Sequence, residues 1–401
     1  MKIDLMRKID YWVGVPVCFL LTVVNYILKL LTFLKRERIG ARKILFIKLS
    51  EMGTTILAYP LMNKLKRECP EAEMFFLTFK KNEGIFEILN IIPAGNVLAI
   101  REDSLGVFIL DTLKAILRMR REKIAIVFDL EFFSRFTAIL TYLSGAQKRA
   151  GFYRYSMEGL YRGNLLTHKV QYNPLLHTSK SYFSLYEVVR LKAKSTPELE
   201  DNIGDEEMVL PKYMPSEEIK TRMHAKLKDY GVEETDRLIL FNPGEGSLPL
   251  REWPLENFIK LGRMLLEAGK NYIIVIGTKE AIPKTELFCK SINDKRCINI
   301  TGETTLPEVL CLFSIADMLI ANDCGLAHLA SLTPIKKVIL FGPESPQLYS
   351  PLCENIRIVY SQLPCSPCVS AFNHRKSACK DNKCLKKIGV DEVFKRLLKK
   401  S

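Results

Sequence analysis

The chain has 401 residues, 48% of them apolar and 26% charged. That is enough for two ordinary domains, each with its own core, and it excludes a disordered chain. Lys and Arg number 59 against 45 Asp and Glu, a net charge of +14. The excess favours anionic partners such as phosphorylated substrates, acidic membrane surfaces or nucleic acid, without choosing among them.

The first segment is apolar. From Tyr11 to Leu34 the only charged residue is Lys29, with Arg7 and Lys8 before it and Lys35, Arg36, Arg38 and Arg42 after it. The run is long enough to span a bilayer, and no small-residue cleavage site marks it as a removable signal peptide. Two membrane readings stand beside that of a buried core helix. One is a transmembrane helix with the body of the protein on the more basic, cytoplasmic side. The other is a helix lying in the interface, which Tyr11 and Trp12 suit. Pro16, Asn25 and Lys29 weaken a clean span. Residues 1–42 are therefore read as a membrane-associated N-terminal helix.

From Lys43 the chain alternates apolar strand-like runs with amphipathic helices. The strand-like runs are 43–49, 73–79, 96–100 and 123–130, with helical stretches such as 105–121 and 134–144 between them. Fully apolar strands separated by helices predict a parallel sheet covered on both faces. Residues 196–236, rich in Pro, Asp and Glu, break the rhythm and read as a linker. It restarts at 237–244, 271–277, 317–323 and 336–342. The expected architecture is two doubly wound, Rossmann-like α/β domains, 43–195 and 237–401, with a cleft between them as the natural ligand site.

The loops after these strands share one form: small residues, then a polar one, then a helix. They are "NPGEGS" (242–247), "GTKEA" (277–281), "NDCGLAH" (322–328) and "FGPESP" (341–346). Glycines admit a ligand to the backbone and a helix start favours phosphate, so four such loops point to a nucleotide diphosphate. In the first half "KLSEMGTTILAYP" (48–60) is similar, and Lys48, Thr54 and Thr55 are candidates to meet an acceptor or phosphate. The same stretch also reads as a plain capped helix. There is no GxxxxGK[ST], no GxGxxG after the first strand, no HExxH and no D-x-D.

The chain has 11 cysteines. Seven are scattered, as in a reducing compartment. The other four, Cys365, Cys368, Cys379 and Cys384, include one CxxC and are compatible with a structural zinc site, with His374 as an alternative ligand. Reduced thiols or a disulfide are the other readings.

The second half, through "NPGEGSLPLREWPLENF", "VIGTKEA" and "NDCGLAHLASLTPIKKVILFGPESP", resembles glycosyltransferase family 9, the ADP-heptose:lipopolysaccharide heptosyltransferases and relatives. In the first half "ILFIKLSEMGTTILAYPLMNKLKRECPEAEM" and "FDLEFFSRFTAILTYLSGAQKRAGF" resemble it too. The resemblance implies a GT-B fold, with the acceptor in the first domain and the nucleotide-sugar donor in the second. It places Ser247, Arg251, Glu280, Asp323, Cys324, Gly325 and His328 around the donor. Arg251 stands where the family has a phosphate-pairing Lys. Glu280 would hold the ribose, Asp323 sugar hydroxyls, and His328 and the backbone of 324 and 325 the phosphates.

The resemblance also implies metal-independent displacement with inversion, no cofactor being required, which needs a base for the acceptor hydroxyl. The family's loop after the first strand reads Gly-Asp. Here it reads Gly53-Thr54, and a threonine is no base at neutral pH. Glu51 is the expected substitute and Asp129 the second choice. The overall expectation is a transferase on the cytoplasmic face of the inner membrane. It would move heptose first, or another sugar, from ADP-heptose or a similar donor to a lipid-linked, lipopolysaccharide-like glycan, and would not bind nucleic acid. A non-catalytic nucleotide-sugar or glycolipid binding protein and a GT-B epimerase are the rivals.

Overall fold

The computed structural model describes residues 3–31, 43–155, 160–190, 202–244, 249–373 and 375–398. They form two units, residues 1–209 with 371–375, and residues 210–370 with 376–401.

In the first unit six parallel strands, β1 (Lys43–Ile47), β2 (Glu73–Phe79), β3 (Val97–Ile100), β4 (Ile126–Asp129), β5 (Lys148–Tyr153) and β6 (His168–Gln171), lie in the order β3-β2-β1-β4-β5-β6. Two helices precede the sheet, α1 (Ile3–Trp12) and α2 (Gly14–Leu31). The crossovers contain α3 (Met52–Leu57), α4 (Tyr59–Glu68), α5 (Ile85–Leu89), α6 (Leu105–Arg121) and α7 (Arg135–Leu143), and α8 (Thr178–Arg190) follows β6. Because strand side chains alternate, the sheet is apolar on both faces. On one face Phe46 stacks between Phe76 and Phe128, and Phe76 meets Phe86 of α5. On the other, Leu45, Ile47, Leu77 and Val127 pack with Ala115 and Met119 of α6 and Leu140 of α7.

The N-terminal helices belong to this unit and lie over α7. Asp10 of α1 accepts the backbone N–H groups of Arg135 and Phe136, both at 3.0 Å, and its other oxygen pairs with Arg135 Nη1 at 3.0 Å. It thereby satisfies orphan donors at the first turn of α7. Cys18 and Leu21 of α2 pack with Ala138 and Ile139 of α7.

The second unit repeats the plan. Strands β7 (Arg237–Asn242), β8 (Asn271–Val275), β9 (Cys297–Asn299), β10 (Met318–Asn322), β11 (Lys336–Phe341) and β12 (Ile356–Tyr360) are all parallel, in the order β12-β11-β10-β7-β8-β9. Its helices include α9 (Glu217–Asp229), α10 (Leu255–Glu267), α11 (Ile282–Ile292), α12 (Leu306–Ile315) and the one-turn α13 (Gly325–Leu329). Trp253 is buried between the sheet and α10, its indole N–H donating to the Ile388 carbonyl at 3.0 Å.

The acidic stretch read as a linker is only partly one. Residues 191–201 lie outside the described residues, but 217–229 form α9. Its start is capped by Ser216 and its buried Met223 and Leu227 face inward. Sparse apolar positions hid this helix among its Glu and Lys residues.

One ion pair in the first unit carries a pH signature. The Asp111 carboxylate of α6 accepts from the backbone N–H, Nε and Nη2 of Arg101 at 3.2, 2.8 and 2.9 Å. Hydrogen bonds from that guanidinium hold its pKa down from 3.8 to about 2. A lowered folded pKa adds stability above the unfolded value and loses it as pH falls through the folded one. The stability difference between wild type and Asp111→Asn is therefore expected to be full above pH 3.8 and to vanish toward pH 2. Urea unfolding across that range measures it.

Candidate active site

Each sheet is wound outward from its middle in both directions, so each has one place where chain direction reverses. It lies between β1 and β4 in the first unit and between β7 and β10 in the second. There the loops leaving two neighbouring carboxyl ends depart to opposite faces, and a crevice opens in which ligands bind.

In the second unit this place is built from Asn242-Pro243-Gly244 and Asn322-Asp323-Cys324. Asn322 is locked from both sides: its Oδ1 accepts from Trp253 N at 2.9 Å and its Nδ2 donates to the Pro243 carbonyl at 3.4 Å. Asn242 Nδ2 reaches Cys324 Sγ at 3.7 Å. Cys324 is the residue before α13, and Gly325 is its first residue. That helix is five residues long, so it offers local N–H groups rather than a long aligned dipole. His328, 5% exposed, lies in the same turn.

The charges here are close-set. The Arg251 guanidinium hydrogen-bonds Glu344, and its Nε lies 3.8 Å from Asp323 Oδ2. Asp323 is 6% exposed and Glu344 is fully buried. One guanidinium thus faces two carboxylates, so Arg251, expected to meet a phosphate, is already engaged within the protein. Glu344 was missed in the sequence because its partner stands 93 residues away. Glu280 is exposed in the turn after β8, where hydrogen bonds from Thr278 and the backbone keep its carboxyl below the ordinary range. Ser247 lies outside the described residues.

At the reversal point of the first unit the dominant group is Glu131, which sequence reasoning passed over. Its Oε1 accepts the backbone N–H groups of Leu49 and Ser50, both at 3.0 Å, and the Ser50 hydroxyl at 3.1 Å. Its Oε2 binds Lys48 Nζ at 2.7 Å. Against the cost of burial, Lys48 and the Ser50 amide hold its pKa below the usual value. Lys48, 2% exposed, is thereby a structural counter-charge and not an open anion contact. Thr54 is buried and donates to the Glu51 carbonyl at 2.9 Å, and Thr55 is fully buried. All three side chains are thus buried in the loop rather than open at its surface.

The two candidate bases separate clearly. Asp129 is fully buried, with its Oδ2 bound by Arg162 Nη2 and by Thr137 Oγ1 at 3.1 Å. Burial pushes its carboxyl up to about 6, opposed by Arg162. Its other oxygen accepts the Glu131 backbone N–H at 3.2 Å, so Asp129 ties β4 to the loop that follows it. Glu51 is partly exposed, precedes α3 with φ 67°, and is ion-paired with Arg375. A non-glycine residue held in that region is uncommon, and such strain gathers at functional positions.

The four C-terminal cysteines do not converge as a metal site. Cys365 and Cys379 are exposed, Cys384 is buried, Cys368 Sγ lies 3.2 Å from Ser377 Oγ, and Cys379 Sγ lies 2.9 Å from the Asp381 carbonyl. Among the described residues no group of three or more His, Cys, Asp or Glu is placed to hold a metal. His374 lies outside them. The residues as placed do not fit the expected zinc.

Two doubly wound parallel sheets, each with its site at the reversal point, are the plan of the GT-B glycosyltransferases. Solved structures share it. The ADP-heptose lipopolysaccharide heptosyltransferase II of Escherichia coli superposes with a TM-score of 0.66 at 20% identity, covering 88% of this chain and 97% of that one. A family 9 glycosyltransferase from Veillonella parvula superposes with 0.66 at 19% identity, covering 90% and 97%. The model of glycosyltransferase family 9 (heptosyltransferase) matches residues 117–378, and the chain belongs to that family. Lipopolysaccharide heptosyltransferase 2 of Salmonella typhimurium is 27% identical over 154 residues, 38% of this chain and 43% of that protein. Lipooligosaccharide heptosyltransferase 2 of Haemophilus influenzae is 30% identical over 125 residues, 30% of this chain and 36% of that protein. The aligned stretch thus spans less than half the length of these curated relatives.

The Asp129 assignment has a measurable consequence. Arg162→Leu leaves a buried carboxylate uncompensated and is expected to lower the unfolding free energy by about 3–5 kcal/mol. Equilibrium denaturation reads the loss.

Proposed function

We propose that this protein is an inverting, metal-independent transferase. It moves a sugar, heptose in the first instance, from a nucleotide diphosphate donor such as ADP-heptose to a lipopolysaccharide-type, lipid-linked acceptor at the cytoplasmic face of the inner membrane. Membership of glycosyltransferase family 9 supports the reaction class. The observation that carries the site assignment is the gathering of Arg251, Asp323 and Glu344 at the carboxyl end of β10, where the second sheet reverses.

The donor binds the second unit. Asp323 accepts hydrogen bonds from sugar hydroxyls. The N–H groups of Cys324 and Gly325, with His328, receive the pyrophosphate and stabilise the charge that grows on it as the glycosidic bond breaks. Arg251 supplies a fixed positive charge whose direction Glu344 sets. Glu280 accepts from the ribose. In the first unit Glu51 takes the proton of the acceptor hydroxyl as that oxygen attacks the anomeric carbon from the side opposite the leaving group.

The test follows nucleoside diphosphate release by purified protein in detergent, with ADP-, GDP-, UDP- and dTDP-sugars and lipopolysaccharide-type acceptors. Glu51→Gln is expected to lower kcat by about 10²–10⁴-fold with donor binding unchanged. Asp323→Ala is expected to weaken donor binding as well as turnover, and Asp129→Asn to change turnover little in the folded fraction. Turnover that survives Glu51→Gln would remove Glu51 from the base position. Tight donor binding without release on any acceptor would favour the binding-protein reading.

A further inference from the structure

We infer that the protein rests on the membrane in the plane of the bilayer surface, through a shared apolar face made by α2 and the outer stripe of α6, and that α2 does not cross the bilayer. The inference rests on the membrane-proximal reading above and gives it a geometry.

Residues 5–30 are long and apolar enough to cross a membrane by length and composition, an 18-residue window within them having a mean hydropathy of 1.9. Their contacts argue otherwise, because one side of α2 is built into the first unit. Asn164 N donates to Thr22 Oγ1 at 2.8 Å, Asn25 Nδ2 donates to the Asn164 carbonyl at 3.2 Å, and Asn164 Nδ2 donates to Tyr26 Oη at 2.6 Å. Gly163, at φ +66°, brings its loop so close that a Cβ there would lie 2.4 Å from Thr22 Oγ1 and 2.6 Å from the Cys18 carbonyl. The loop is therefore shaped to this helix. A spanning α2 would strip these partners away and leave Thr22 and Asn25 in hydrocarbon, where polar groups must find partners within the protein.

Among the described residues the opposite side of α2 is uncovered. Phe19, Leu20, Val23, Ile27 and Leu30 are all exposed, and Trp12 is 74% exposed at the junction with α1. The same pattern appears on α6. Asp111, Ala115 and Met119 face inward, while Leu105, Ile109, Leu110, Leu113 and Leu117 are 49–70% exposed. The two surfaces lie on the same side of the sheet. Phe108 of α6 packs on Phe136 of α7 with ring centroids 5.2 Å apart, Met6 of α1 joins that cluster, and α2 lies over α7. Exposed apolar faces of this kind, two of them on one side of one unit, mark a surface made to meet a protein or a membrane.

Charge selects lipid as the occupant. Arg121 and Lys114 are exposed on α6, and the sequence beyond α2 carries Lys35, Arg36 and Arg38. Apolar surface with the exposed Lys114 and Arg121 beside it, and Tyr11 and Trp12 at its edge, fits an anionic bilayer surface.

Flotation of the full chain with phosphatidylcholine vesicles, with and without phosphatidylglycerol, tests this. Binding is expected to need the anionic lipid and to be released by alkaline carbonate. The pair Leu113→Glu and Leu117→Glu is expected to cut the vesicle-bound fraction at least about tenfold. It should leave the melting curve and nucleoside diphosphate release in detergent unchanged. In a spanning arrangement α6 stays in water, so unchanged binding by the pair, or retention through carbonate, would overturn the proposal. Self-association without flotation would overturn it too, by making a second copy the occupant. Because release in detergent does not depend on docking, its absence in wild type would count against the transferase reading alone.

Discussion

A parallel strand cannot return to its neighbour through a tight turn; it needs a crossover over one face of the sheet. When both faces must be covered, the winding has to reverse once, and at that strand pair no crossover roofs the carboxyl ends. Both units of this protein obey the constraint, at β1/β4 and β7/β10. Apart from Glu280, in the turn after β8, every polar group given a chemical role lies on a loop that leaves one of these four strands or pairs directly with a residue that does. The reversal also places backbone N–H groups in the open, and side chains must either satisfy them or leave them for a ligand. In the first unit Glu131 takes two of them. In the second, Asn322 secures the adjoining loops, while the turn at Cys324 and Gly325 is left to begin a single helical turn.

Charge pairing then decides which residues remain chemical and which become structural. Lys48, Asp129 and Arg162 are ionisable groups within a few residues of the reversal point or packed upon it, and each is buried against a partner. Such pairs are costly to break and add little when intact, so they fix geometry more than they add stability. Glu51 differs: partly exposed, backbone-strained, and held by a guanidinium from a distant segment at 371–375. Placement, not residue type, separates the two carboxylates of neighbouring loops.

Much of the fold was legible because it is written locally. β2 and α6 coincide with the residues read from periodicity, and seven further apolar runs became strands with ends trimmed by a few residues. The strands that escaped have physical reasons. β5 carries Arg149, buried because the carbonyls of Ala146 and Leu165 accept from it, which no hydropathy pattern reveals. β6, β9 and β12 are edge strands of three to five residues, mostly polar or half-buried. The turn from Asn322 to His328 was legible for the same reason as β2, since its residues are contiguous. Glu131, Glu344 and Arg162 were not, because each matters only through a partner 33 to 93 residues away.

The docking of α2 has a consequence for how the chain is made. Asp10 finds its partners 125 and 126 residues later, and Thr22 finds Asn164 only after 142 more residues have been added. At the usual pace of synthesis that is an interval on the order of ten seconds. Throughout it an apolar helix has left the ribosome and its berth does not yet exist. A helix with one lipid-compatible side can wait at a bilayer surface for that time and then receive the loop at Gly163 from the opposite side. On this account the N-terminal segment emerges first and completes its packing late, so that the membrane acts as a temporary partner in folding.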